Sequence, residues 1–176
     1  LPGHGLAVAF LRSPFAHAQL THLDLTEARS LAGVQLVVSQ ADMDEDNVGE
    51  IHCQQYVENR DGSHIPRTTT PAMARAIIRH AGDIVAMVVA DTRQQALDAL
   101  ELIDVDYDIL DSVCDVYEAT EPNAPQLYDC YPNNTVFTWE AGTIDKARSA
   151  IDAAIASGAR LVEVDAVSYT HLTLPT

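Results

Sequence analysis

The stretch from Arg79 to Leu110 constrains this chain more than any other. Arg79-His80-Ala81-Gly82-Asp83 reads as a turn, and Ile84 to Ala90 (Ile-Val-Ala-Met-Val-Val-Ala) follows as a continuous apolar run. Its length and β-branched content predict a strand buried on both faces. Asp91-Thr92 is an N-cap pair, with Gln94 or Gln95 near the N3 position. Ala96, Leu97, Leu100 and Ile103 then recur at helical spacing. After that the period becomes two. Ile103, Val105, Tyr107 and Ile109 alternate with Asp104, Asp106 and Asp108, which predicts a strand with one wet face. Strand, helix and strand within about 30 residues predict a βαβ unit, right-handed if its strands are parallel.

The rest of the chain divides at its turn residues. Leu6 to Leu11 reads as a buried strand, broken by Arg12-Ser13-Pro14. Phe15 to Leu25 reads as a second strand. Thr26 to Leu31 is a short helix with Thr26 as N-cap and Gly33 as the residue beyond its end. Val34 to Val38 is a third strand, and Ala76 to Arg79 a short one leading into the central unit. Ala41 to Thr70 is polar and irregular, with a short helix around Ala41 to Asp44; a loop of this length is usually functional or mobile. Glu121 to Asn134 holds Pro122, Pro125 and Pro132 without periodicity and reads as a linker. Thr135 to Trp139 is a short strand. Ile144 to Ala156 is a helix stopped by Gly158, and Leu161 to Asp165 alternates as a strand.

Composition excludes some partners. Ten Lys and Arg against 26 Asp and Glu give a net charge of −16. Nucleic acid and anionic membrane both need a basic footprint, so neither is expected. No run approaches the roughly 18 apolar residues of a membrane span. Cys53, Cys114 and Cys130 are odd in number and lack a CxxC spacing, which argues against a disulfide framework and a zinc site. Reduced thiols in a cytoplasmic protein are the expectation. The sequence begins Leu-Pro-Gly-His, without an initiator Met or a signal-peptide pattern, and reads as a fragment.

No constellation makes a self-contained active site. Asp104, Asp106 and Asp108 share a strand face, about 7 Å apart in succession, but imply no fourth oxygen donor; a solvated face is the simpler reading. Asp42-Met43-Asp44-Glu45-Asp46 superficially resembles a calcium loop. Asn47 stands where that loop needs Gly, and Cys53 where it needs a bidentate Glu. His4, His17, His22, His52, His64, His80 and His171 form no HExxH pair. His17 and His22 could approach one another but have no legible nucleophile. Ser13 and Ser39 lack the nucleophile elbow. Gly3-x-Gly5 lacks the third glycine and preceding strand of a dinucleotide fingerprint, and no phosphate loop exists. Asn133-Asn134-Thr135 is a formal glycosylation sequon, without meaning in a cytoplasmic protein.

A resemblance adds what these residues alone do not. Ala9-Phe10-Leu11-Arg12-Ser13-Pro14-Phe15-Ala16-His17-Ala18 resembles the FxRSPxAHA segment of the molybdenum hydroxylases. Leu31-Ala32-Gly33-Val34 is similar to their LPGV turn, and Arg79 to Ala90 to their RYVGEPVAAVVA. Ala96 to Leu110 follows the pattern A.DAAELVEVDYEPL. Ala124-Pro125-Gln126-Leu127 and Phe137-Thr138-Trp139-Glu140-Ala141-Gly142 resemble AP.L and F.WE.GD. The matches run in order through residues 6 to 165. Ala81, Asp83 and Thr143 depart from the usual residues. The Trp-Glu-Ala-Gly variant leans toward the carbon monoxide dehydrogenase-like branch.

The resemblance implies the large subunit of the aerobic carbon monoxide dehydrogenase, xanthine dehydrogenase and aldehyde oxidase family. The expected fold is an α/β-hammerhead domain, α+β or α/β, with a mixed sheet and a βαβ core, plus the start of the molybdopterin-binding domain. The expected division is 1–120 hammerhead, 121–142 Pro-rich linker and 143–165 the first helix and strand of the next domain. Residues 166–176 resemble the translated read-through of a sequencing-library adapter and are expected to be foreign. The resemblance further implies an oxidoreductase that inserts water-derived oxygen with a molybdopterin cytosine dinucleotide cofactor. FAD and [2Fe-2S] clusters would lie on a medium and a small partner subunit, in a dimer of heterotrimers. The family's catalytic and pterin-binding residues lie downstream, so no catalytic, cofactor-binding or metal residue is assigned here. The alternative reading is a stand-alone α/β binding module whose 41–70 loop contacts a ligand; another is a scaffold without a function of its own.

Overall fold

A computed structural model describes residues 5–52, 58–65, 69–139 and 141–163. In chain order the elements are β1 (Ala7–Arg12), β2 (Ala18–Asp24), α1 (Thr26–Ser30), β3 (Val34–Ser39), α2 (Gln40–Glu45), β4 (Ile51–His52), β5 (Thr69–Thr70), β6 (Ile77–Ile78), β7 (Ile84–Ala90), α3 (Arg93–Leu100), β8 (Asp104–Ile109) and α4 (Ile144–Ala156). Short 3-10 turns cover Glu118–Thr120 and Pro132–Asn134.

Two three-stranded sheets carry the fold, in the orders β1-β7-β3 and β6-β2-β8, with β4 and β5 forming a small pair. Every pairing among the described strands is antiparallel. The expected βαβ core and mixed sheet are therefore corrected. Strand, helix and strand form as expected, but β7 and β8 lie in different sheets. The side-chain patterns explain why. β7 is apolar throughout and takes the central place of its sheet. β8 needs one wet face for its aspartates, which an antiparallel sheet provides and a helix-covered parallel sheet does not.

The core lies between the first sheet and two helices. Ala9, Val37, Ala86, Val88 and Ala90 pack against Leu25, Ala28, Ala96, Ala99 and Ile103. Alanines on both sides let the helices sit close to the sheet. A second cluster joins Ala18, Ala74, Ile78 and Val85, with Phe15 and Tyr107 edge-to-face at 5.2 Å beside it. α3 starts as its sequence requires: Thr92 Oγ1 accepts from the Gln95 backbone N–H at 3.2 Å.

Several local expectations are corrected. β1 was expected to be buried, yet it is an edge strand whose Val8 and Phe10 point outward and are exposed. Thr26 is the first residue of α1 and not its cap. Asp24 Oδ1 accepts from Thr26 N at 2.9 Å and Thr26 Oγ1 at 2.6 Å, because a carboxylate two residues upstream reaches the free N–H first. Thr135 to Trp139 forms no strand; its Thr138 carbonyl accepts from Arg60 N at 2.7 Å instead. Residues 161–163 form no strand either, and 164–165 lie outside the described residues.

The Pro-rich stretch expected as a linker is folded. Asn134 Oδ1 accepts from Leu127 N at 2.9 Å, and its Nδ2 donates to the Ala119 and Pro125 carbonyls at 2.9 and 3.0 Å. One amide thus replaces the backbone ladder that prolines cannot supply. The chain divides into compact units at Trp139/Glu140. In the second unit α4 ends as expected at Gly158, which has φ 94° and donates its N–H to Ile155 O at 2.9 Å.

Candidate functional site

The two most informative motifs meet in space. Arg12-Ser13 ends β1 and Gly82-Asp83 leads into β7, and the antiparallel pairing of these strands brings both turns together. Ser13 N donates to Asp83 O at 2.9 Å, Gly82 N to Ser13 O at 2.8 Å, and Arg12 Nη1 to Gly82 O at 2.8 Å. Ser13 is buried, and its Oγ accepts from Phe15 N at 3.1 Å, fixing the turn into β2. A hydroxyl engaged in this way is a turn former and not a nucleophile.

Arg79 extends the junction. Asp83 Oδ2 accepts from Arg79 N at 3.2 Å. The Arg79 guanidinium lies 4.3 Å from the Tyr128 ring centroid, and its Nε donates to Leu127 O at 3.0 Å. Tyr128 packs edge-to-face on Tyr131 at 5.7 Å. One arginine therefore ties the turn before β7 to the Pro-rich segment through stacking and a hydrogen bond.

The histidines are dispersed. His17 is buried, and its Nδ1 lies 2.7 Å from Asp111 O; a carbonyl only accepts, so this nitrogen carries the hydrogen. Leu110 N donates to His17 O at 3.0 Å, completing the tie between the ends of β2 and β8. His22 Nε2 is 3.5 Å from Asp104 on the wet face of β8. His80 Nδ1 is 3.8 Å from Asp83, and Glu58 and His64 form an isolated bridge. His17 and His22 are thus held by separate partners. His4, His171, Cys53 and Gly3 lie outside the described residues, while Cys114 and Cys130 are exposed free thiols.

The acidic run is occupied by structural contacts. Ser39 N and Oγ approach Asp42 Oδ2 at 2.7 and 2.8 Å, closing a capping box on α2. Partial desolvation raises the Asp42 carboxyl, but hydrogen bonds from Ser39 and Arg29 outweigh it and hold the group below its ordinary value. Asp44 receives Arg75 Nε and Nη2 at 2.8 Å each, and Gln40 Nε2 at 2.8 Å. Arg75, then Gln40, hold the Asp44 carboxyl down to about 2. Arg75 also pairs with Glu50. Buried Gln40 accepts from Met73 N at 2.9 Å, so α2 is pinned to the chain before β6. The sequence reading missed this cluster and the Arg79–Tyr128 anchor. The available signal was scarcity: with ten cationic side chains against 26 acids, each arginine has a choice of partners.

Among the described residues, no buried side-chain polar atom lacks a partner, and no group of three metal-ligating side chains gathers. An open cleft of about 580 Å³ lies between Asn59-Arg60-Asp61 and Thr135 to Thr138, and a smaller one of about 230 Å³ is lined by β2, Gln40 and Arg75. What the residues do build is a joint between strands, helix α2 and the Pro-rich segment.

Comparison with known proteins agrees with this architecture. The family model described as "Aldehyde oxidase and xanthine dehydrogenase, a/b hammerhead domain" matches residues 2–111. The chain belongs to this family of hammerhead domains. It is 38% identical over 122 residues to a protein named "Probable hypoxanthine oxidase XdhD" from Escherichia coli (strain K12), a match covering 69% of the chain and 12% of the relative. It is 30% identical over 172 residues to the carbon monoxide dehydrogenase large chain of Afipia carboxidovorans, covering 91% of the chain and 19% of the relative. A crystal structure of a Cu,Mo-CO dehydrogenase superposes with a TM-score of 0.58 at 32% identity, over 81% of this chain and 16% of that one. The chain thus spans between an eighth and a fifth of the length of these relatives. Among the described residues, no helix is long and apolar enough to cross a membrane.

Proposed function

We propose that the chain is the hammerhead part of the large catalytic subunit of a molybdopterin-dependent oxidoreductase. The full-length subunit would oxidise a carbon monoxide-, aldehyde- or purine-like substrate with oxygen derived from water. The observation that carries this reading is the family match over residues 2–111, on a fold whose Arg12-Ser13 and Gly82-Asp83 turns interlock. The role of the hammerhead itself is structural and subunit-contacting, in keeping with side chains committed to ties and caps.

The molybdopterin cytosine dinucleotide would be held by residues downstream, in keeping with described residues whose buried side-chain polar atoms all have partners. FAD would sit on a medium subunit and [2Fe-2S] clusters on a small one, in a dimer of heterotrimers in the cytoplasm. Three cysteines without a pairing pattern support the cytoplasmic assignment. Residues 143–165 would open the molybdopterin-binding domain, and residues 166–176 would be adapter-derived.

Expression of the full-length gene with its neighbouring reading frames tests this. The purified complex should contain molybdenum and reduce an electron-accepting dye with carbon monoxide, aldehydes or purines. A stop codon near residue 165 in the genomic sequence, or a full-length product without molybdenum, would sink the proposal. The present chain, purified alone, should contain no stoichiometric molybdenum.

A further inference from the structure

The outer face of the first sheet is apolar and open. Strand register sets Val8, Val89 and Leu36 side by side in one row, and Phe10, Met87 and Val38 in the next. Val8 is 50% exposed, Phe10 42% and Leu36 48%, while Met87, Val89 and Val38 are half-buried. Six uncharged side chains therefore adjoin on three strands. Single exposed apolar residues are ordinary, but a contiguous plate marks a face that is covered. The sequence pattern points the same way. β7 is apolar on both faces, and β1 is nearly so, as in strands with a layer on either side. α1 and α3 supply one layer.

We infer that the missing layer is an apolar segment from the continuation of the same polypeptide. This rests on the reading of the chain as part of a longer subunit. Two observations choose this occupant. The chain accounts for 12% and 19% of the two relatives named above, so most of the polypeptide able to cover the plate lies beyond it. A net charge of −16 sets two copies of this chain against each other. At one end the Arg12 guanidinium lies 5.6 Å from the Phe10 ring centroid, a charged edge beside an apolar centre, as protein contacts have.

Thiol labelling of the full-length large subunit tests the assignment. Val8→Cys and Leu36→Cys variants are treated with a maleimide, native and urea-unfolded, and each site is quantified by peptide mass spectrometry. The subunit is labelled both alone and in complex with its partner subunits, each at two concentrations tenfold apart, roughly spanning the dissociation range of weak self-association. If the continuation covers the plate, native labelling is slower than unfolded labelling by about ten-fold or more at both concentrations. A smaller slowing overturns the inference. Protection that appears only with partner subunits, or only at the higher concentration, also overturns it by naming another occupant. Peroxide oxidation of Met87 in the unsubstituted subunit gives the same reading should a cysteine variant fail to fold. Labelling is read without turnover. A subunit protected here but lacking molybdenum would refute the proposed activity and leave the covered plate standing.

Discussion

Gly82 and Gly33 both have positive φ, 89° and 86°, but their surroundings separate two costs. A Cβ at Gly82 would meet nothing within 4 Å, so Gly82→Ala carries the backbone term alone, about 1–2 kcal/mol. A Cβ at Gly33 would collide with the Gln95 side-chain amide, whose Nε2 donates to Ala32 O at 3.3 Å. That flexible end can swing away, which adds the lost hydrogen bond of about 0.5–1.5 kcal/mol to the same backbone term. Urea unfolding of both variants checks the order. Gly33→Ala should be the more destabilising, and equal midpoints would show that the close approach contributes nothing. Asn134 is a stronger case, since its one amide serves Leu127 N, Ala119 O and Pro125 O. Asn134→Ala should cost about 1–3 kcal/mol. It should also speed proteolytic cutting between residues 115 and 135. Cutting no faster than in the parent would mean that the prolines hold this segment unaided.

At the scale of elements, α2 depends on a charge pair that titrates. The Asp44 carboxyl is lowered to about 2 by Arg75 and Gln40, from an ordinary 3.8. A lowered folded-state value means that the stabilisation is fully present above the unfolded value and is lost as pH falls through the folded one. The anchor of α2 should therefore weaken between about pH 4 and pH 2. In Asp44→Asn that part of the acid sensitivity should vanish. Unfolding midpoints measured across this range decide it, and parallel curves for parent and variant would refute the role of Asp44. The same scale separates what was legible from what was not. The β7 run, the Thr92 cap and the alternating aspartates of β8 are local signals, and the structure carries all three. Sheet partners are not local. Whether β8 pairs with β7 or with β2 depends on which sheet offers a wet face, and periodicity within one segment does not encode that. Asn134 and Arg79 escaped notice for a related reason: both act across sequence separations, on backbone carbonyls that any residue can present.

The whole chain consists of two units with unequal means of support. The first, through Trp139, has a helix-covered sheet and two apolar clusters. The second offers α4, 13 residues long, with Ile144, Ile151 and Ile155 exposed and none of its residues buried. Hammerhead motifs are legible because they lie within the first unit, whereas α4 displays an apolar stripe that no described residue of its own unit covers. An isolated helix shorter than about 12–15 residues is marginal in water, and most helical stability in proteins comes from packing an apolar face. α4 satisfies its C-terminus at Gly158 but has no side-chain cap at Thr143. Amide hydrogens of residues 148–156 in the 176-residue chain should therefore exchange with protection of about ten-fold or less, while those of β7 exchange far more slowly. In the full-length subunit the same helix amides should be strongly protected, because the rest of its domain would cover the stripe. Hydrogen exchange read by mass spectrometry on both proteins makes the comparison. Strong protection already present in the short chain would mean that α4 holds itself together, and that its isoleucines need no further domain.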